Sequence, residues 1–167
     1  MKKFWFAGLA IFTFLACEKD DICDGGDSET PNVIINMYNN NDSDVLKPAV
    51  KICLIAEGFQ DTLVFKNTSK IEIPLEITKT ETTWKLVLFE PNPTKVGDTI
   101  YKSDVLRFTY NKPESIYVSK ACGYKVTFNG FNASKQANTT NDAWIQNIFT
   151  LTNEITNENN AHIQLFY

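Results

Sequence analysis

The sequence predicts an all-β fold, a single antiparallel β-sandwich of the immunoglobulin-like type. Apolar residues recur with a period of two almost everywhere after residue 31, as they do in strands that bury one face. The apolar runs are short, and turn-forming segments separate them at nearly regular intervals. Threonine and other β-branched residues are abundant and alanine is scarce, which favours strands over helices.

The predicted strands fill the chain from residue 33 to the C-terminus. In order, they are residues 33–38, 50–56, 61–67, 70–77, 83–90, 104–111, 115–119, 122–130, 143–155 and 162–167. Pro74 cannot donate a hydrogen bond to a neighbouring strand, so we expect its strand at a sheet edge or at a bulge. The start of segment 143–155 is also compatible with a helical turn. We expect the C-terminal strand to pair inside a sheet.

The alternation also assigns side chains to faces. The two clearest sets that share a face are Ile71, Ile73, Leu75 and Ile77, and Tyr124, Val126 and Phe128. Trp84 and Trp144 lie in similar alternations, so we expect both in the core. The alternative is that these two indoles are exposed and stack on sugars.

The N-terminus carries a targeting signal. Lys2 and Lys3 precede an uncharged, apolar run over residues 4–16. That run is shorter than the roughly 20 apolar residues of a membrane-spanning helix, and it has the form of a secretory signal peptide. Its end, "FLAC", resembles a bacterial lipobox, in which Cys17 becomes the lipidated first residue of the mature chain. An ordinary cleaved signal peptide with a chance cysteine is the alternative.

The next residues resemble the lipoprotein export signal of Bacteroidota, in which a lysine and acids follow the lipidated cysteine. They are Cys17, Glu18, Lys19, Asp20 and Asp21. This resemblance implies a protein on the outer face of the outer membrane, where several acyl chains hold it more firmly than one could. The alternative is a solvated polar tether without a sorting role.

These features divide the chain into a signal peptide over residues 1–16, a lipidated acidic tether over residues 17–31 and a β-sandwich domain over residues 32–167. The formal charge of −4 becomes −6 once Lys2 and Lys3 are removed with the signal peptide. Because such an acidic chain does not attract nucleic acid, we expect no nucleic-acid partner.

Three cysteines remain besides Cys17, an odd number for an oxidising compartment. Cys53 lies within an apolar predicted strand, where a free cysteine behaves as a small buried hydrophobic residue. Cys23 and Cys122 lie at the ends of predicted elements, where a bridge between two segments forms more easily. We therefore predict a disulfide between Cys23 and Cys122 and a free thiol at Cys53.

The sequence holds no convergent set of catalytic groups. His162 is the single histidine, and we expect it at the surface or rim of the domain. Glu72 and Glu76 have the spacing of the solvent face of a strand. We therefore expect no enzyme activity, no catalytic residue, no cofactor and no metal.

Two weaker patterns were weighed as sites. A calcium ion prefers oxygen ligands, which the segment "NNNDSD" supplies, but the segment lacks the glycine and distal glutamate of a hand-type loop. We expect an asparagine-rich turn there; its oxygen-bearing residues are Asn39, Asn40, Asn41, Asp42 and Asp44. The triplets "DTL" and "DTI" resemble the O-glycosylation acceptor of Bacteroidota, with Thr62 and Thr99 as the modified residues.

Several blocks together resemble a flavobacterial surface lipoprotein family of unknown function. They are "CEKDDIC", "TPNVIINMYN", "IEIPLEI", "VLRFTYNKPESIYVSKACGYKVTFN", "WIQNIFTLTNEITNEN" and "HIQLFY". The most specific block is "SKACGYK". The resemblance implies that Cys23 and Cys122 are the paired cysteines of the family, and it implies a location and a fold but no reaction.

We therefore expect a surface-anchored, non-catalytic β-sandwich that acts as an accessory subunit of an outer-membrane β-barrel complex for protein assembly, export or transport. An acyl anchor confines such a subunit to the membrane surface and raises its effective concentration near a barrel partner. The alternative is a surface module that binds glycans or peptides, which would need exposed, clustered aromatic side chains.

Overall fold

A computed structural model describes Cys23 and residues 29–138 and 142–167 of the protein. The predicted signal peptide, Cys17 and the export signal from Glu18 to Asp21 lie outside these residues. The described residues contain strands and no helix, so the prediction of an all-β fold is confirmed. The strands are β1 (Val33–Asn39), β2 (Asp42–Leu46), β3 (Ala49–Ala56), β4 (Thr62–Thr68), β5 (Lys70–Ile73), β6 (Glu81–Pro91), β7 (Thr99–Thr109), β8 (Glu114–Ser119), β9 (Gly123–Asn129), β10 (Asn132–Lys135), β11 (Asn147–Thr150), β12 (Glu154–Ile155) and β13 (Ile163–Phe166).

The strands form two five-stranded sheets and one small sheet. Sheet 1 has the order β11-β13-β1-β2, and β5 also pairs with β1. Sheet 2 has the order β10-β7-β6-β3-β4, and sheet 3 has the order β12-β9-β8. Sheets 1 and 2 together form the sandwich.

One core joins the inner faces of sheets 1 and 2. Because side chains alternate between the two faces of a strand, every second residue of the central strands points into this core. Ile35 and Met37 of β1 belong to the same buried cluster as Leu86 and Phe108 of sheet 2. The alternation of apolar residues therefore reports burial correctly for the central strands of the sandwich.

The first and last strands lie side by side in sheet 1. β1 pairs with β13 in parallel, from Ile35 opposite Ile163 to Tyr38 opposite Phe166. On its other side β13 pairs with β11, so the expectation that the C-terminal strand pairs inside a sheet is confirmed. The sandwich is thus mainly antiparallel, with this one parallel pair among the described strands.

Some strand predictions were wrong in extent. Strands β2 and β10 occupy segments that were predicted as a turn and a loop, and β7 begins at Thr99, five residues earlier than expected. Residues 143–146 form no strand, and the rest of the predicted strand 143–155 is divided between β11 in sheet 1 and β12 in sheet 3. These segments are short or polar, so their pairing depends on which strand lies beside them.

The chain crosses from sheet 2 to sheet 1 beside the buried carboxylate of Asp104. Oδ2 of Asp104 accepts hydrogen bonds from the backbone N–H groups of Trp144 (2.7 Å) and Ile145 (2.8 Å). A buried acceptor of this kind satisfies backbone N–H groups that have no partner in a neighbouring strand, and so stabilises this segment. Asp104 thereby fixes the entry of the chain into β11.

The sandwich has two distinguishable ends. At the N-terminal end, β1 and β6 begin and β7 finishes. At the opposite end, residues 92–98 connect β6 to β7. Sheet 3 lies at the N-terminal end, because Asn111, just after β7, donates its N–H to the carbonyl of Asn129 in β9 (2.8 Å).

Candidate functional site

A bend at Ser69 separates two strands that belong to different sheets. β4 ends at Thr68 in sheet 2, and β5 begins at Lys70 in sheet 1. Two features hold the bend: Asn67 has a left-handed backbone with φ of 50°, and the hydroxyl of Thr68 contacts both the N–H and the carbonyl of Lys70. Away from this bend the two chain segments diverge, and a cleft opens between them.

The cleft lies at the N-terminal end of the sandwich and has a volume of about 440 Å³. Its lining consists of Ala56, Phe59, Asp61, Leu63, Pro74, Leu75, Glu76, Ile77, Thr82 and Trp84. Phe59 is 60% exposed and Ile77 is 52% exposed, so large apolar side chains line the cleft and still meet solvent. A concave apolar surface with a few polar groups is the usual form of a binding site.

The polar backbone of the cleft is already hydrogen-bonded. The N–H of Glu76 donates to Oγ1 of Thr82 (2.8 Å), and the hydroxyl of Tyr110 donates to the carbonyl of Glu76 (2.8 Å). The hydroxyls of Thr82 and Tyr110 are 2.5 Å apart, and burial raises the pKa of Tyr110 so that it stays a neutral donor. Trp84 adds a bond from Nε1 to the carbonyl of Pro74 (3.1 Å).

The β8–β9 hairpin carries the predicted disulfide at its turn. Cys122 is bonded to Cys23, and their Cα atoms are 5.0 Å apart, as predicted from the sequence. Gly123 follows with φ of 71°, the left-handed conformation that closes a three-residue hairpin loop. Cys53 has no disulfide, as predicted, but it is half-buried and not buried, because the buried face of β3 belongs to its neighbours Ile52 and Leu54.

Burial falls from the base of this hairpin to its turn. Phe128, at the base, is fully buried and packs edge-on against Tyr110 with ring centroids 5.0 Å apart. Tyr117 and Tyr124, near the turn, are 58% and 70% exposed and pack edge-on against each other at 5.3 Å. The N-terminal segment runs beside β9, since the N–H of Val126 donates to Oγ1 of Thr30 (3.0 Å).

A second hollow, of about 520 Å³, lies at the opposite end of the sandwich. Its charged side chains already have partners: Lys102 contacts Glu90 at 3.0 Å, and Lys47 donates to the carbonyl of Tyr167 at 3.1 Å. Burial, with a smaller contribution from Glu90, raises the pKa of Tyr167 to about 12. This hollow is therefore held by internal contacts, and the cleft offers the more accessible apolar surface.

The prediction that His162 lies at the surface was wrong. His162 is only 5% exposed, because it immediately precedes β13, which is enclosed between β1 and β11. Its Nδ1 accepts a hydrogen bond from the N–H of Ile34 (2.9 Å), so Nε2 carries the proton and donates to the carbonyl of Asn157 (3.0 Å). Burial lowers the pKa of His162 below 6.5, and the Asn157 bond and the charge of Glu158 oppose that shift.

Trp84 and Trp144 are both buried, as predicted. The indole N–H of Trp144 donates to the carbonyl of Leu86 (3.3 Å), so this ring lies against β6. Neither indole is available to stack on a sugar, so these two tryptophans do not supply the exposed aromatic cluster that the glycan-binding alternative requires.

Glu72 and Glu76, the acidic residues of the predicted solvent face, have lysine partners. Glu72 lies 2.9 Å from Lys70, and Glu76 lies 3.9 Å from Lys79. Within residues 29–138 and 142–167 and at Cys23, no group of three or more histidine, cysteine or acidic side chains is placed to hold a metal.

The remaining predicted residues lie at strand ends and turns. The asparagine-rich segment forms the β1–β2 turn, where Oδ1 of Asn39 accepts the N–H of Asn41 (3.0 Å), and Asp42 and Asp44 belong to exposed β2. Thr62 and Thr99 are exposed first residues of β4 and β7, so the glycosylation prediction stays open at both.

The cleft is not apparent from the sequence. Ile77 was assigned to the buried face of a long strand, but β5 ends at Ile73, before Pro74, and Ile77 is exposed instead. Phe59 lies outside any alternation. Pro74 was the available signal, because it cannot donate a hydrogen bond to a neighbouring strand; it was interpreted as an edge or a bulge, whereas the strand ends one residue before it.

These features define a disulfide-linked β-sandwich with an accessible apolar cleft at the end from which its N-terminal segment departs. The chain belongs to a family of unknown function, DUF6452, which it matches over residues 51–167. The match begins in β3 and includes Cys122 and the whole cleft. Neither a curated protein nor a solved structure matches the chain significantly. Among the described residues there is no helix that is long and apolar enough to cross a membrane.

Proposed function

We propose that this protein is a lipid-anchored, non-catalytic subunit that binds an outer-membrane β-barrel protein complex at the cell exterior. The N-terminal sequence supports the location, since "FLAC" resembles a lipobox and the acids after Cys17 resemble the Bacteroidota export signal. The proposal includes the flavobacterial origin and a role beside machinery for protein assembly, export or transport.

The observation that carries the proposal is the apolar cleft at the N-terminal end of the sandwich. Phe59, Leu63 and Ile77 expose apolar area around it, and contiguous exposed apolar surface marks interaction sites. The cleft lies at the same end as Thr30 and the β8–β9 hairpin, and hence near the proposed anchor. A partner embedded in the same membrane would meet this end first.

The hydrogen bonds of the cleft favour contact over chemistry. The hydroxyls of Thr82 and Tyr110 are engaged with each other and with the backbone of Glu76, and the Glu76 carboxylate accepts the hydroxyl of Thr78 at 2.7 Å. These groups hold segment 74–77 in place. An apolar side chain of a partner is therefore the group that fits the cleft best.

Co-purification from gently solubilised membranes tests the proposal. We expect a β-barrel protein to accompany the tagged wild-type protein. Ile77→Asp and Phe59→Asp would place an unpaired carboxylate inside the interface, and a loss of more than about 1.4 kcal/mol lowers the affinity at least tenfold. The recovery of the barrel protein should fall accordingly.

Val96→Asp is the matched control. Val96 is fully exposed in the connection at the opposite end of the sandwich, so the same new charge should leave recovery unchanged. If no barrel protein is recovered with the wild type, or if the cleft variants recover as much as the control, the proposal is wrong.

The structure offers one feature in favour of a peptide-binding alternative. β4 is the last strand of sheet 2, and no described strand pairs with its outer edge. An extended peptide can add to such an edge and insert alternate side chains into a neighbouring pocket. Binding of apolar extended peptides by the purified protein, lost in Leu63→Asp, would support this second function.

A further inference from the structure

The outer half of the β8–β9 hairpin has the composition of a membrane interface. Tyr117 and Tyr124 are paired across the hairpin and lie on one face, while Ile116 lies on the other face and is also exposed. Tyrosine rings are enriched at the level of lipid headgroups, because each ring combines an apolar body with a polar tip.

The charge of this segment differs from that of the whole chain. Residues 115–126 contain Lys120 and Lys125 and no acidic residue, whereas the chain carries a formal charge of −4. Lys120 is exposed in the turn, and Lys125 donates to the carbonyl of Thr156 at 3.3 Å. The acidic residues next to Cys23 in the sequence, Asp21 and Asp24, offset this positive charge once the disulfide joins them to the turn. Lys120 therefore supplies a single basic contact for a lipid phosphate.

The disulfide limits how far the hairpin can move from the anchor. Cys23 follows Cys17 by six residues, and six residues span at most about 20 Å when fully extended. Cys122 is bonded to Cys23 at the hairpin turn. With the 5.0 Å between the Cα atoms of the two cysteines added, an acyl group on Cys17 keeps the turn within about 25 Å of the membrane surface.

We propose that the turn of the β8–β9 hairpin rests in the interfacial layer of the membrane that carries the acyl anchor. Tyr117 and Tyr124 lie among the headgroups, Lys120 contacts lipid phosphate, and the cleft at the same end of the sandwich is held close to the membrane. This inference rests on the proposed lipidation of Cys17.

Depth-dependent quenching tests the inference with the full lipidated protein in vesicles of phosphatidylcholine and phosphatidylglycerol. Tyr117→Trp adds a reporter to the hairpin, and Tyr101→Trp adds one at the opposite end, where Tyr101 is similarly exposed at 66%. Both variants retain buried Trp84 and Trp144 as a common background. We expect the emission of the Tyr117→Trp reporter to be blue-shifted by its less polar surroundings and quenched by lipids brominated near the headgroup, and the emission of the Tyr101→Trp reporter to show neither change.

Flotation of the same vesicles separates the two proposals. Protein that floats without selective quenching of Tyr117→Trp overturns the hairpin inference and leaves the anchor intact. Protein that does not float overturns both. A variant with Cys23→Ser and Cys122→Ser should still float but should lose most of the quenching at Tyr117→Trp, and full quenching in that variant would contradict the role given to the disulfide.

Discussion

Aromatic residues occur in the strands of both the sandwich and the β8–β9 hairpin, but different interactions stabilise the two regions. Phe108 of β7 is fully buried and stacks on Phe131 with ring centroids 5.8 Å apart. Tyr117 of β8, also an aromatic residue in a strand, is more than half exposed and packs on a single tyrosine. The difference is the facing sheet, because sheet 1 faces β7 across the core, whereas no sheet of the described residues faces the outer half of the hairpin. Core packing therefore maintains the sandwich, whereas the hairpin turn depends on pairing and on a disulfide.

The largest expected difference in the free energy of unfolding is between two variants that each remove one aromatic side chain, one in the sandwich and one in the hairpin. Phe108→Ala should lower the free energy of unfolding by about 3–5 kcal/mol, because it leaves a cavity in the shared core. Tyr117→Ala should cost less than about 1 kcal/mol, because most of that ring already meets solvent. Urea denaturation of both variants would measure the difference, and equal costs would mean that the hairpin is packed as tightly as the sandwich.

Removal of the disulfide should have an intermediate effect on the free energy of unfolding. Cys23 and Cys122 are 99 residues apart, and closing a loop of that size restricts the unfolded chain by up to about 4.7 kcal/mol in the chain-entropy model. The double variant Cys23→Ser, Cys122→Ser should lose about 2–5 kcal/mol of unfolding free energy. Denaturant titration under non-reducing conditions measures this loss.

Cys53→Ser is the control for that experiment. Cys53 is half-buried on the outer face of sheet 2, opposite Val64 and Val87, so its replacement should change stability by less than about 1 kcal/mol. A double variant as stable as Cys53→Ser would show that the bridge adds nothing to the stability of the domain.

A change of pH should have the smallest effect on stability, and the group responsible, His162, lies in the sandwich. Because burial lowers the pKa of His162 below 6.5, the unfolded state binds a proton before the folded state does as the pH falls. Stability should therefore be unaffected above about pH 7 and should decrease as the pH falls below 6.5. Thermal melting between pH 7.5 and pH 5.5 would measure this decrease.

His162→Asn tests whether His162 causes this pH dependence. The amide oxygen of the new asparagine can accept the hydrogen bond from the N–H of Ile34, and the amide does not titrate. The slope of melting temperature against pH should flatten in this variant and should persist in the double cysteine variant. If the slope of melting temperature against pH stays the same in His162→Asn, the titration of other groups causes it.

The same comparison explains how much could be predicted from the sequence. In β6, the alternation of Trp84, Leu86 and Leu88 gave the buried face correctly, because sheet 1 covers that face along its length. In β9, Tyr124 and Phe128 also share a face, yet one is exposed and the other is buried. Periodicity identifies a face, but burial depends on what lies opposite.

The candidate site was less predictable because it depends on distant segments. At Ser69 the chain passes from sheet 2 to sheet 1. The alternation of apolar residues predicts the strands on either side of Ser69, but it does not show that they belong to different sheets. The burial of His162 likewise follows from β1, which lies 128 positions away in the sequence. The disulfide was predictable because cysteine chemistry leaves few pairings among three residues.

The parallel pairing of β1 with β13 has a consequence for the order in which the domain folds. β3, β4, β6 and β7 are near neighbours in the sequence, so sheet 2 can form while the chain is still incomplete. Sheet 1 cannot close until the last residues arrive, because its central pair joins the two ends of the domain. Contacts of such long separation form slowly. In a chain that emerges N-terminus first, β1 could pair early with β2 and β5, but its edge that faces β13 would stay unpaired until the C-terminal residues arrived.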